Sequence, residues 1–129
     1  MLNRGFAFIL AALLCCAPAL GWSQSRQPEL VVIGTGNSLA AKVGAQVGRS
    51  PYLLFFNQQG VLVEALDNPH KDSGSAGVTT AEFLAGKGVK VVVCESFGPK
   101  ILGVMEKRGM RPVEFTGKVA DGVKKALER

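Results

Sequence analysis

Cysteine and histidine are scarce in this chain of 129 residues. It holds three cysteines and one histidine, and two of the cysteines, Cys15 and Cys16, lie close to the N-terminus. If the N-terminal segment is removed, Cys94 alone remains, and a single cysteine excludes an internal disulfide framework. The hydrophobic fraction of 47% indicates that an apolar core holds the fold together instead.

Aromatic residues and excess charge are also limited. The chain has one Tyr, one Trp and a net charge of +5 that is spread along its length. This composition does not indicate a nucleic-acid-binding surface. No 20–50-residue repeat is visible, which excludes a repeat architecture.

Several catalytic and nucleotide-binding motifs are missing from the sequence. There is no G-x-x-x-x-G-K-[ST] loop for phosphates and no G-x-S-x-G turn for a nucleophilic serine. Gly34-Thr35-Gly36 follows an apolar run, but position 39 is Leu, so the third glycine of a dinucleotide-binding fingerprint is absent. A dinucleotide site and a serine-hydrolase elbow are therefore not expected.

The first 21 residues have the pattern of an export signal. Arg4 precedes an uncharged apolar run that ends with the small residues Ala19 and Gly21. We predict a signal peptide over 1–21 with cleavage after Gly21 or Ser23, a linker over 22–28 and one domain over 29–129. Cleavage would leave a net charge of +4.

Two other readings of the N-terminal segment fit less well. A membrane span needs about 20 apolar residues, and here Pro18 and Gly21 interrupt a shorter run. A lipoprotein signal needs a small residue before its cysteine, and Leu14 precedes Cys15.

The remaining sequence alternates strand and helix patterns in the order β-β-β-α-β-α-β-α. A turn at Gln58-Gln59-Gly60 predicts a hairpin between the second and third strands. Thr79-Thr80-Ala81-Glu82 resembles a capping box, which predicts that the first helix begins at Thr80. The predicted strands are 30–33, 52–56, 61–66, 89–94 and 111–115, and the predicted helices are 80–85, 99–109 and 118–128.

This element order predicts a crevice at one edge of the sheet. Strand–helix–strand crossovers make their strands parallel, so the loops 68–77 and 95–100 are expected at the same edge. Each loop leads into a helix N-terminus, where free N–H groups attract anions. Lys71 and Lys100 add positive charge to the two loops.

The only histidine and the only cysteine of the mature chain fall on these same loops. His70 lies in the first loop, and Cys94 ends the strand before the second. Both side chains are competent metal ligands. The placement predicts a pocket for a soft, anionic, metal-containing guest, with His70 and Cys94 as the metal ligands.

An ordered set of short motifs resembles one known family. The chain is similar to the dinitrogenase iron–molybdenum cofactor biosynthesis family of small accessory and carrier domains over about residues 29–129. That resemblance implies a three-layer α/β/α, ribonuclease-H-like domain with a five-stranded mixed sheet. It also implies non-enzymatic binding of an iron–sulfur or molybdenum-containing cluster. The matching segments are Gly36-Asn37-Ser38-Leu39, Gly48-Arg49-Ser50-Pro51-Tyr52, Asn68-Pro69, Gly77, Gly88-Val89-Lys90-Val91-Val92-Val93 and Gly98-Pro99.

The resemblance and the loop pattern together give a set of candidate ligand-binding residues. Arg49 would bring a fixed cation to the sheet edge, since its guanidinium stays charged and offers forked donors. Asn68-Pro69 favours a turn that sets His70 at the crevice. The full candidate set is Arg49, Asn68, Ser75, Gly77, Gly98 and Lys100.

The sequence thus predicts an exported, periplasmic or secreted binding protein that is not an enzyme. Its expected partners are a metallocluster or oxyanion and a protein that donates or accepts the cluster, with no nucleic acid and no membrane after cleavage. Two alternatives remain at this point. One is a hydrolase or transferase that uses His70 with an adjacent serine or carboxylate, and the other is a redox or partner-binding module in which Cys94 is an exposed thiol.

Overall fold

A computed structural model describes residues 26–128 of the chain. The predicted signal peptide and its cleavage sites lie outside these residues. The observed elements follow the predicted order. They are β1 (Leu30–Gly34), β2 (Tyr52–Phe56), β3 (Leu62–Asp67), α1 (Ala76–Gly86), β4 (Val91–Cys94), α2 (Pro99–Arg108), β5 (Arg111–Glu114) and α3 (Val119–Leu127).

The strands form one five-stranded mixed sheet in the order β3-β2-β1-β4-β5. β2 runs antiparallel to both of its neighbours, whereas β1, β4 and β5 pair in parallel. β3 therefore points the same way as β1, β4 and β5, and the carboxyl ends of these four strands share one edge of the sheet. All three helices begin at that edge, because each follows one of these strands.

Helices cover both faces of the sheet and give three layers. α1 and α2 pack together over one face, and α3 packs across β1 and β4 on the other. The central strands β1 and β4 are consequently buried on both sides, which explains their continuous apolar runs. The predicted three-layer α/β fold with a five-stranded mixed sheet is confirmed.

The hairpin turn between β2 and β3 lies where the sequence predicts it. Asn57 is buried, and its side-chain oxygen accepts the N–H groups of Gln59 and Val61 at 2.9 and 3.0 Å. Gly60 has a φ of 81°, a conformation that an L side chain rarely adopts.

The predicted start of the first helix is wrong. α1 begins at Ala76, four residues before the expected Thr80, with Ser75 as its N-cap. Thr80 is instead buried within the helix, and its hydroxyl donates to the side-chain oxygen of Asn68 at 3.3 Å. Glu82 makes no capping contact, since its carboxylate binds Arg108 at 2.7 Å. Tertiary packing of the first turn thus overrides the local capping pattern.

None of the helices between residues 26 and 128 is long and apolar enough to cross a bilayer.

Candidate functional site

A pocket of about 590 Å³ opens at the carboxyl edge of the sheet. Three segments meet around it: part of the connection between β1 and β2, the start of α1 and the start of α2. The lining residues are Gln46, Val47, Gly48, Arg49, Gly74, Ser75, Ala76, Gly77, Val78, Ser96, Phe97, Gly98, Pro99, Lys100 and Ile101.

Two glycines allow these three segments to approach closely. A Cβ atom added to Gly48 would overlap the backbone of α1 and would lie 2.6 Å from the Cα of Gly77. A Cβ atom added to Gly77 would lie 2.6 Å from the Cδ1 of Ile101 in α2. At Gly48 only glycine permits this spacing, because the clash would be with backbone, whereas at Gly77 the end of the Ile101 side chain could shift. The β1–β2 connection thus packs closely on α1, and α1 packs on α2, at the pocket wall.

Both helix N-termini at the pocket lack a side-chain cap. Neither of the N-cap residues, Ser75 of α1 and Gly98 of α2, makes a capping hydrogen bond in the structure of residues 26–128. The first turn of each helix also carries no acidic residue. N–H groups in a first turn have no acceptor within the helix and carry partial positive charge, so both ends favour an anion.

Two cationic side chains line the same pocket. Arg49 is exposed, and its Nη1 donates to the backbone oxygen of Lys71 at 2.9 Å. This single bond leaves the other guanidinium N–H groups able to reach a ligand. Lys100 lies in the first turn of α2 and is also exposed. Lys71 contributes its carbonyl to Arg49 but does not line the pocket.

Five of the six predicted ligand-binding residues are brought together here: Arg49, Ser75, Gly77, Gly98 and Lys100.

Asn68 does not line the pocket, and its predicted direct contact with a ligand needs correction. Its side chain is 3% exposed and has its hydrogen-bonding capacity used within the protein. The amide nitrogen donates to the oxygens of Gly48 and Ser50 at 3.0 and 3.3 Å. The side-chain oxygen accepts the N–H of His70 at 2.9 Å and the Thr80 hydroxyl. The predicted turn at Asn68-Pro69 is therefore present, with Asn68 as its buried support.

The predicted pairing of His70 with Cys94 across the crevice is not found. The ring of His70 makes an edge contact with Phe83 of α1, with the ring centroids 5.5 Å apart. Cys94 is fully buried in the core on the α1 and α2 side, and its Sγ donates to the Gly44 oxygen at 3.2 Å. Neither residue lines the pocket. The reason is the pleat of β4, which turns the side chain of Cys94 into the core, whereas the sequence pattern indicated only that Cys94 ends a strand near this edge.

The buried thiol is also poorly suited to reaction. Desolvation by burial raises the pKa of Cys94 from 9.0 to about 11, which outweighs the opposite influence of the Ser96 and Glu95 backbone N–H groups. The alternative of an exposed reactive thiol at Cys94 is therefore wrong. Metal ligation by His70 stays a prediction, and the described residues 26–128 contain no group of three or more His, Cys, Asp or Glu side chains that could hold a metal ion.

The segment 46–48 and the side chain of Ser96 are parts of the site that the sequence predictions missed. Gln46 and Ser96 form an isolated parallel bridge, and the Ser96 hydroxyl donates to the Ala45 oxygen at 3.1 Å. These contacts join the β1–β2 connection to the loop after β4. The sequence feature that could have identified this segment is the Gly48-Arg49 pair, because a glycine lets the backbone approach another segment closely and the arginine beside it can bind an anion.

The donors of the pocket suit an anion better than a bare metal ion. They are backbone N–H groups, a guanidinium and an ammonium, whereas metal ions are bound by thiolate, imidazole or carboxylate groups. An anionic cluster or an oxyanion would be held through its outer atoms.

Solved structures support the fold. The apo form of the orange protein from Desulfovibrio gigas aligns with a TM-score of 0.69 and 23% sequence identity, covering 81% of this chain and 90% of that chain. An NMR structure of a protein from Thermotoga assigned as NifB aligns with a TM-score of 0.64 and 19% identity, covering 75% and 84% of the two chains. At these identities the likeness concerns the fold alone.

Sequence comparison identifies the family. No curated protein matches the chain significantly. The family described as dinitrogenase iron-molybdenum cofactor matches residues 29–129, which is most of the sequence and includes every residue that lines the pocket. The chain belongs to the dinitrogenase iron–molybdenum cofactor family.

Proposed function

We propose that this protein is an exported, non-enzymatic carrier of an anionic iron–sulfur or molybdenum-containing cluster or a related oxyanion. The cluster is the cargo, and the pocket between the starts of α1 and α2 is its binding site. The observation that carries this proposal is the meeting of two uncapped helix N-termini with Arg49 and Lys100 around one pocket. The family assignment supports a cargo related to the iron–molybdenum cofactor.

The charges around the pocket favour an anion by several small contributions. A helix N-terminus stabilises a nearby negative charge by about 0.3–1 kcal/mol, and the pocket has two of them. A hydrogen bond to a charged group is worth about 1.5–3 kcal/mol, and Arg49 can supply more than one. Because each contribution is small, they suit the reversible binding that a carrier requires.

The lining residues favour binding over turnover. The pocket contains the hydroxyls of Ser75 and Ser96, but the only histidine lies outside it against Phe83. Ser96 donates its proton to a backbone oxygen, not to a base. A hydrolase or transferase that uses His70 with one of these serines therefore lacks support in the geometry of the described residues.

Export and hand-over complete the proposal. The predicted signal peptide over 1–21 would send the domain to the periplasm or outside the cell. The expected partners are the cluster and a protein that donates or accepts it, with no nucleic acid and no membrane after cleavage. N-terminal sequencing of the protein from the periplasm of its own host should find residue 22 or 24 first. A chain that begins at residue 1 would contradict export by cleavage.

Anion titrations test the pocket directly. We expect the purified domain to bind molybdate or tetrathiomolybdate in isothermal titration calorimetry. The double variant Arg49→Gln/Lys100→Gln should weaken this binding by about 30-fold or more, since charge-assisted hydrogen bonds are lost.

The matched control removes the same net charge elsewhere. Lys90 and Lys125 are exposed, and neither lines the pocket. The variant Lys90→Gln/Lys125→Gln should therefore change the affinity less than twofold at physiological ionic strength, where charges beyond about 8 Å are screened. Equal losses in both double variants, or no binding of either anion by the unaltered protein, would contradict the proposed site.

A further inference from the structure

Asn68 lies beneath the pocket and connects three separate segments. Its side-chain nitrogen donates to carbonyl oxygens of the β1–β2 connection. Its side-chain oxygen accepts from the N–H of His70 and from the hydroxyl of Thr80 in α1. The two amide protons and the oxygen thus all have partners, as a polar group that is 3% exposed requires.

The Asn68 amide nitrogen donates to three carbonyl oxygens, of which the farthest, on Val47, is 3.5 Å away. The two closer carbonyl groups belong to the residues on either side of Arg49. They belong to Gly48 and Ser50, so a single side-chain amide holds the peptide group that precedes Arg49 and the peptide group that follows Ser50. The backbone N–H of Asn68 also donates to the Pro51 oxygen at 2.8 Å. The backbone at Arg49 is therefore held from beneath.

Asn68 also fixes the acceptor that orients the arginine side chain. Its oxygen holds the N–H of His70, and the next residue, Lys71, offers the carbonyl to which Arg49 donates. The contacts form a closed ring that runs from Asn68 through Arg49 and Lys71 back to Asn68. The backbone beside Arg49 and the carbonyl group that its guanidinium binds thus both depend on the buried amide of Asn68.

We propose that Asn68 is a positioning residue that directs the Arg49 guanidinium toward the anion in the pocket, an inference that rests on the proposed function. Asn68 does not touch the ligand and acts only through Arg49. Its residue type fits this task, because an asparagine amide combines two donors with an acceptor on a short side chain. Asp at this position would place a second acceptor against two carbonyl oxygens.

A double-mutant cycle on anion affinity tests this coupling. Asn68→Asp should weaken molybdate or tetrathiomolybdate binding by about tenfold in the unaltered background and by less than twofold in the Arg49→Gln background. Equal losses in both backgrounds would overturn the inference, because a general structural defect does not require Arg49. Thr80→Val is the matched control: it removes a partner of the same side-chain oxygen without touching the Arg49 segment, and it should leave affinity within twofold.

A second readout does not depend on a ligand. In the free protein, the guanidinium protons of Arg49 should give slowly exchanging NMR signals because of the bond to Lys71. These signals should persist in Thr80→Val and disappear in Asn68→Asp, while the far-ultraviolet circular dichroism of both variants stays native. Persistence of the signals in a folded Asn68→Asp protein would overturn the positioning role. Failure of the unaltered protein to bind either anion would instead refute the proposed function.

Discussion

The N-terminus of α3 and those of α1 and α2 lie at the same sheet edge but have different surroundings. The first N–H groups of α3 are closed by the protein itself, since Val119 and Ala120 donate to the oxygens of Ala41 and Leu39 at 2.8 and 3.0 Å. The starts of α1 and α2 open into the pocket without side-chain caps. The N-terminus of α3 is therefore used in hydrogen bonds within the protein, whereas the N-termini of α1 and α2 are available to bind a ligand.

One long connection produces both outcomes. Between β1 and β2, its first half bridges Lys42 to Lys118 and lays carbonyl groups on α3. Its second half brings the backbone of Gly48 so close to α1 that a Cβ atom added there would overlap Ala76 and Gly77. The hydrogen bond from Cys94 to Gly44 anchors the connection between the two halves. The β1–β2 connection therefore closes the start of α3 with its carbonyl groups and packs beside the start of α1.

The largest loss of stability is expected from a substitution at Gly48, where the β1–β2 connection packs on the open N-terminus of α1. Gly48→Ala adds a Cβ atom that overlaps the backbone of α1 at Ala76 and Gly77. Because backbone cannot move aside cheaply, we expect the free energy of unfolding to fall by about 3 kcal/mol and anion binding to weaken. Urea unfolding measures the first effect. Gly98→Ala is the control, since its Cβ atom meets nothing within 4 Å, and it should cost less than about 1 kcal/mol. Similar costs for both would contradict the close packing of Gly48.

A smaller effect is expected from ionising the thiol that anchors the connection. Burial raises the pKa of Cys94 to about 11, so the folded state favours the neutral thiol. The associated stability is fully present below pH 9 and is lost as the pH rises through 11. Between pH 8 and 11, the unaltered protein should lose about 2 kcal/mol more than Cys94→Ala, which has no thiol to titrate. Parallel pH profiles of unfolding free energy would show that the thiol is not buried.

The smallest effects on stability are expected from aspartate substitutions at the N-caps, which compare the open N-terminus of α2 with the closed N-terminus of α3. The N-cap residues Gly98 of α2 and Lys118 of α3 both have extended backbone, so aspartate fits at either position. Gly98→Asp should raise the free energy of unfolding by about 1 kcal/mol, because a carboxylate accepts free N–H groups of the first turn and offsets the partial positive charge there. Lys118→Asp should raise it by less than about 0.5 kcal/mol, because the N–H groups of Val119 and Ala120 are already bound and Asp121 already places a carboxylate in that turn. Only Gly98→Asp should weaken molybdate binding, by about tenfold or more. A similar loss of affinity in Lys118→Asp would show that net charge, not the open helix end, governs binding.

Local sequence patterns were sufficient for most elements but not for every boundary. Apolar runs and turn residues predicted all five strands and three helices in the right order, because buried strands need continuous apolar residues when helices cover both faces. The start of α1 was missed because its first turn packs against Gly48, which precedes Ala76 and Gly77 by 28 and 29 residues in the sequence.

The sequence by itself determined the fold class, the shared sheet edge of the two loops and the presence of two helix starts there, since strand order and crossover handedness follow from element order. It also identified six candidate ligand-binding residues, five of which line the pocket. Only the tertiary structure decided that Cys94 faces the core, that His70 lies against Phe83 and that Asn68 supports the Arg49 segment from below. These three outcomes depend on side-chain direction and on contacts between distant segments, which residue type and spacing along the chain do not specify.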